Sequence, residues 1–218
     1  MSESTNPTNT EPRWPAILAL AAVAGLRLAL PRSLAVGPSW GLAAVISLLL
    51  IPIIWARMRG SHKLNQALGY VLNGVITADM VWSLGLLIAA LPTHSESPLA
   101  LLRSASVLWV TNILVFASWY WRLDGGGPSA RDLQGTHKDG AFLFPQMTLT
   151  PEMRVQMGED QWSPGFVDYL FIAFNTSTAF SPTDSPVLSR WAKTLMMIQS
   201  LLSFATVVLL AARAVNIL

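Results

Sequence analysis

Five long apolar runs, parted by short polar breaks and one long polar stretch, set the pattern of this chain. Trp14–Leu30, Trp40–Ala56, Leu68–Leu91, Pro98–Trp121 and Pro186–Leu218 each read as a helix of membrane-spanning length, the first near the lower limit. A sixth run, Phe166–Phe180, gives about 22 Å of helix against a hydrocarbon core of about 30 Å. Ser163-Pro164 and Ser185-Pro186 read as two helix starts, each with a serine cap and proline in the first turn. Pro52 predicts a kink in the second run. The expected fold is an all-α, multi-pass transmembrane bundle of about five spanning helices plus one short helix over 164–180 that re-enters. On that reading the turn Ser181–Ser189 returns to the side of the long polar loop. The organisation is a disordered tail over 1–12, a four-helix region over 13–121, a polar loop over 122–163 and a C-terminal unit over 164–218. Thr150-Pro151 to Gly158 predicts a short surface helix inside the loop.

Composition supports the same class. The chain is 52% hydrophobic and 12% charged, whereas soluble domains carry about 25% charged residues. Arg57, Arg59 and Lys63 make the densest basic connection between two spans, which places that loop and the N-terminus in the cytoplasm. Trp119-Tyr120-Trp121-Arg122 reads as an aromatic belt at an interface. The mixed charges of 122–163 read as a solvated surface. A net charge of +2 without a Lys/Arg tract argues against nucleic acid as a partner. With no cysteine, thiolate metal sites and cysteine nucleophiles are excluded. His62, His94 and His137 lie in predicted loops and form no metal pair, so no cofactor is expected. No nucleophile elbow or phosphate loop occurs, and the chain does not read as an enzyme. Gly125-Gly126-Gly127 is able to cradle an anion, but no lysine and hydroxyl follow at P-loop spacing, so it reads as a turn leaving the membrane.

The candidate chemistry lies inside the apolar runs. Asp79 and Arg27 sit at bilayer depth, where a charge costs about 2.5–3.5 kcal/mol and is rarely left facing lipid. Counted along their helices, Asp79 lies about 17 Å and Arg27 about 20 Å from the cytoplasmic edge, so the two are able to meet. Asn112 is at the centre of its own span. These three read equally well as an ion or proton site and as polar contacts that fix helix packing. A second group, Asn175, Thr176, Ser177 and Thr178 with Thr183 and Asp184, ends the short helix and forms the turn after it. Hydroxyl-rich turns between a short and a spanning helix are one way to line an ion pathway.

The segment Phe174-Asn175-Thr176-Ser177-Thr178-Ala179-Phe180-Ser181-Pro182-Thr183-Asp184, with Leu188-Ser189-Arg190 after it, distantly resembles the pore region of two-span potassium channels. The likeness covers about a quarter of the chain and lacks the glycine filter, which potassium selectivity requires. Trp119 to Pro128, Phe142-Leu143-Phe144-Pro145-Gln146, Gly165 to Leu170, Thr178 to Asp184 and Ala211 to Asn216 resemble a family of small, uncharacterised bacterial integral membrane proteins. That resemblance implies a bacterial inner-membrane protein and carries no catalytic residue. The expected function is channel-like or transporter-like, with the lipid bilayer as its surroundings and a small ion as cargo. A pore built on one short and one spanning helix needs a homo-oligomer to close its wall. The alternative is a non-transporting membrane scaffold or interaction protein that uses 122–163.

Overall fold

The computed structural model describes residues 11–90, 97–134, 140–160, 162–178 and 185–215. Its helices are α1 Trp14–Leu28, α2 Gly41–Met58, α3 His62–Ala90, α4 Pro98–Leu123, α5 Pro128–Gln134, α6 Pro151–Met157, α7 Phe166–Thr178 and α8 Arg190–Val215. The architecture is an all-α bundle. Among the described residues the extended pairing is one isolated bridge, Phe142 to Val187. Helices α2, α3, α4 and α8 are long and apolar enough to cross a membrane, whereas α1, at 15 residues, is shorter than the rest. It stops because the Ala29 and Leu30 N–H groups turn back to the Leu26 and Arg27 carbonyls just before Pro31.

Helix α4 is the hub. It packs against α1, α3, α7 and α8, while α2 closes on α3 and α1. Small residues on its buried face, Ser104, Ala105, Ala117 and Ser118, let neighbours come close. Large apolar side chains of α8, including Met197, Leu201 and Phe204, point outward, as expected of a face that meets lipid.

Several helix starts follow the sequence. Ser97 caps α4 by accepting from the Ala100 N–H at 3.2 Å, and Thr150 caps α6 by accepting from Met153 at 3.3 Å. Gly158 ends α6 in the left-handed conformation, with φ of 72°. Others are corrected. Helix α3 begins at His62, six residues before the apolar run Leu68–Leu91, because Asn65 is buried and donates to the Ile53 carbonyl at 2.8 Å. That bond ties the polar first turn of α3 onto α2. Helix α7 begins at Phe166 instead of Pro164, with the Gly165 N–H donating to Asp168 Oδ2 at 2.8 Å. Helix α8 begins at Arg190 instead of Pro186, capped by Ser189 Oγ, which accepts from the Ala192 N–H. Residues 185–188 are extended because their backbone finds partners elsewhere. Leu143 N–H donates to the Pro186 carbonyl at 2.9 Å, and Leu188 N–H to the Ala141 carbonyl at 2.7 Å.

This pairing decides where α7 goes. The start of α7 is at the C-terminal end of α4, where Tyr169 OH donates to Asp124 Oδ2 at 2.8 Å. Its last turn reaches Asn112, twelve residues or about 18 Å back along α4. Phe142 stacks edge-on against Tyr120 at 5.3 Å and Tyr169 at 6.1 Å, at the end where α7 began. Val187 bridges to Phe142, so the chain is back at that end before α8 starts. Helix α7 therefore enters the bundle, stops at mid-depth, and the chain returns.

The cysteine-free sequence makes the return testable. Single cysteines at Ser129 and Leu188 are expected to react with an impermeant thiol reagent from the same face of the membrane. Reaction of one but not the other on intact cells would show that α7 crosses.

Candidate functional site

Two of the candidate residues form an ion pair. Arg27 Nε donates to Asp79 Oδ2 at 2.8 Å and Oδ1 at 3.1 Å, and Arg27 Nη2 donates to the Val36 carbonyl at 3.1 Å. Arg27 is in the last turn of α1, where a cation also meets the negative end of the helix dipole. Its Nη1 makes no hydrogen bond. A cavity of about 10 Å³, lined in part by Arg27, Asp79, Ser83 and Thr111, lies beside the pair. That volume holds one water at most.

Asn112 is not part of this pair. It faces α7 and α8, where its Nδ2 reaches Ser177 Oγ at 3.5 Å and the Gln199 carbonyl at 3.4 Å. Gln199 is the centre of this second cluster. Its Nε2 donates to the Ala173 carbonyl and to Ser177 Oγ, both at 2.8 Å, and its Oε1 accepts from Tyr120 OH at 2.5 Å. Ser203 Oγ donates to the Ser177 carbonyl at 2.8 Å and Ser200 Oγ to the Thr176 carbonyl at 3.3 Å. These carbonyls belong to the last turn of α7, which has no helical partner for them. Hydroxyls from α8 thus satisfy a helix end that lies inside the bundle. Thr176 and Thr178 turn their own hydroxyls back to the carbonyls of Ile172 at 2.8 Å and Phe174 at 2.9 Å. Thr176 and Ser177 are buried against neighbouring helices, Asn175 is half-buried and Thr178 is exposed. Thr183 and Asp184 lie outside the described residues.

A third cluster gathers at the C-terminal end of α4. The Glu11 carboxylate accepts from Trp121 Nε1, from Arg131 Nη2 at 3.0 Å and from Arg13 Nη1 at 2.9 Å. Arg13 Nη2 also pairs with Asp132 Oδ2 at 2.5 Å, and the Glu11 N–H donates to Asp132 Oδ1 at 3.1 Å. Arg131 Nη1 donates to the Trp121 carbonyl at 3.0 Å, which the end of α4 leaves open, and to the Asp124 carbonyl at 2.7 Å, which also accepts from the Gly127 N–H. Asp124 accepts from the Ala141 N–H and from Tyr169 OH. Burial pulls the Arg13 guanidinium below its ordinary pKa, against the opposing pull of Glu11 and Asp132.

This cluster corrects three expectations. The tail over 1–12 is anchored at its end, since Glu11 is buried; Met1–Thr10 lie outside the described residues. The 122–163 stretch is not solvated throughout, since Asp124 and Arg131 are buried and Phe142 and Phe144 join the core. Tyr120 and Trp121 are buried and hydrogen-bonded inside the protein, leaving Trp119 as the half-buried member of the aromatic belt.

Sequence reasoning assigned no buried polar partner to Gln199, Ser203, Tyr120, Glu11 or Arg131. One signal was available: Gln199, Ser203 and Thr206 recur four and three residues apart in an otherwise apolar run, which is one helical stripe. Nothing local marks Glu11 and Arg131, whose partners are distant in sequence. Comparison of the chain with protein-family models, curated proteins and solved structures finds no match in any of the three.

The ion pair and the glutamine cluster differ in their expected response to mutation. Arg27→Leu or Asp79→Leu alone should cost about 3–5 kcal/mol, because each strands a charge, and the double variant should recover most of the loss. Reversible denaturation in mixed micelles measures the cycle, and additive single costs would contradict a direct pair. Gln199→Leu should cost about 1–3 kcal/mol by leaving buried partners unpaired. A Gln199→Leu protein as stable as the parent would show that α7 does not depend on the cluster.

Proposed function

We propose that this chain is a polytopic bacterial inner-membrane protein that acts as a non-transporting scaffold, with the C-terminal end of α4 in the cytoplasm. One observation carries the reading. The polar side chains that would have to line a pathway at the end of α7 are bonded to each other and to backbone carbonyls across closed helix faces. Oxygens held in this way face neighbouring helices, whereas an ion that sheds its hydration shell needs them turned towards a lumen. The basic residues support the orientation: Arg13, Arg57, Arg59, Lys63, Arg122, Arg131, Arg190 and Lys193 gather at or near one end of the bundle, against Arg32, Arg103 and Arg213 towards the other. The resemblance to small bacterial integral membrane proteins supports the compartment. Segment 122–163 is the surface offered to a partner, and exposed Val155 and Met157 on α6 supply apolar contact there.

The channel-like or transporter-like reading has support from one feature, the Arg27–Asp79 pair at bilayer depth with room for a water beside it. It requires a small ion or proton as cargo, and a pore at the end of α7 would require a homo-oligomer.

Flux assays on the full chain in liposomes separate the two. The scaffold reading expects potassium, sodium and proton leak equal to protein-free vesicles, unchanged by Asp79→Asn. Flux above that background that falls with Asp79→Asn would establish transport and overturn the scaffold.

A further inference from the structure

A cavity of about 100 Å³ opens where the first turn of α3 meets the glycine-rich end of α4. Its lining includes Arg122, His62, Lys63, Gln66 and Gly126, and no Asp or Glu among the described residues. Arg122 is 7% exposed. Its Nε has no hydrogen-bond partner, and among the described residues its guanidinium joins no ion pair. What holds it in place is shape. The guanidinium lies near the Trp121 ring, 5.3 Å from the centroid, and flat against the backbone of Gly69, where a methyl group would come within 1.9 Å of Nη1. Gln66 fixes the glycine loop by donating from Nε2 to the Gly126 carbonyl at 3.0 Å, and the same nitrogen lies 2.7 Å from Tyr70 OH.

A buried arginine without a counter-ion is costly, and such groups are normally paired. Here Arg122 faces a cavity of the size of several waters, and the cavity also receives Lys63 and the N-terminus of the 29-residue α3. Helix N-termini present free N–H groups and positive potential. Three sources of positive field therefore converge on one space that no Asp or Glu lines among the described residues. We propose that this cavity binds a phosphate anion, with Arg122 as the buried anchor, Lys63 and His62 at the mouth and the α3 N-terminus beside them. Arginine suits the task because its planar fork engages two phosphate oxygens at once. The glycine run, which lacks the lysine and hydroxyl of a P-loop, receives its basic groups from α3 and α4 instead. The same chemistry fits the headgroup of an anionic lipid and free inorganic phosphate. The site does not depend on whether the bundle conducts.

The test uses the full chain in nanodiscs and reads thermal stability. One arm compares phosphatidylcholine discs with discs containing phosphatidylglycerol. The other adds inorganic phosphate to phosphatidylcholine discs, against chloride at equal ionic strength. Binding should raise Tm by about 2–4 °C or more in at least one arm. A rise with phosphatidylglycerol alone identifies a lipid headgroup, and a rise with phosphate shows that the free anion suffices. The exposed double substitution His62→Ala, Lys63→Gln should remove at least half of the rise without unfolding the protein. Gly69→Ala, which displaces the Arg122 guanidinium while keeping its charge, should do the same. No rise in either arm would overturn the proposal, as would a rise that both variants retain in full.

Discussion

A helix that stops inside a bilayer leaves carbonyl groups where no water can reach them, and each must find a donor in the protein. Most of this fold can be read as the answer to that requirement at the end of α7. Helix α8 supplies hydroxyl donors from Ser200 and Ser203, and Gln199 adds a bond further back, to the Ala173 carbonyl. Helix α4 supplies Tyr120, whose hydroxyl orients the Gln199 amide by taking up its oxygen. With the amide oxygen engaged, the nitrogen is directed at α7, so the order of donors and acceptors fixes the rotamer as well as the contact. The position of α4 at the centre of the bundle follows, since it alone contacts both members of this arrangement and the α1–α3 side.

The long apolar runs, the early stop of the short helix and its return were legible because each depends on length and local polarity. The Arg27–Asp79 pairing was legible for a different reason: two charges at one depth in lipid leave few choices. The start of α8 was misread at Ser185-Pro186. That dipeptide carries a good local cap signal, but residues 141–143 offer its backbone partners and win. The burial of Glu11, Asp124 and Arg131 could not be read, because mixed charge in a polar stretch looks the same whether water or opposite charges surround it. Only the tertiary arrangement distinguishes them.

The two charged regions of the bundle are built differently. Around Arg27 and Asp79 one ion pair is embedded among apolar side chains such as Val23, Leu42 and Met80. At the C-terminal end of α4, charges are numerous, mutually bonded and interleaved with Trp121, Tyr169 and Phe142. Aromatic faces take cations, Arg13 over Trp121 and Arg131 over Tyr169, which offsets part of the desolvation cost of burying them.

The anchoring of Glu11 also has a temporal side. Its partners Trp121, Arg131 and Asp132 follow it by 110 to 121 residues. At about 5–20 residues per second of synthesis, the start of the chain waits on the order of 6–24 s before they exist. Throughout that interval the first helices enter the membrane with Glu11 and Arg13 unsecured. The contact therefore closes as a latch, drawn shut once the end of α4 and all of α5 have been made, with α6, α7 and α8 still to follow.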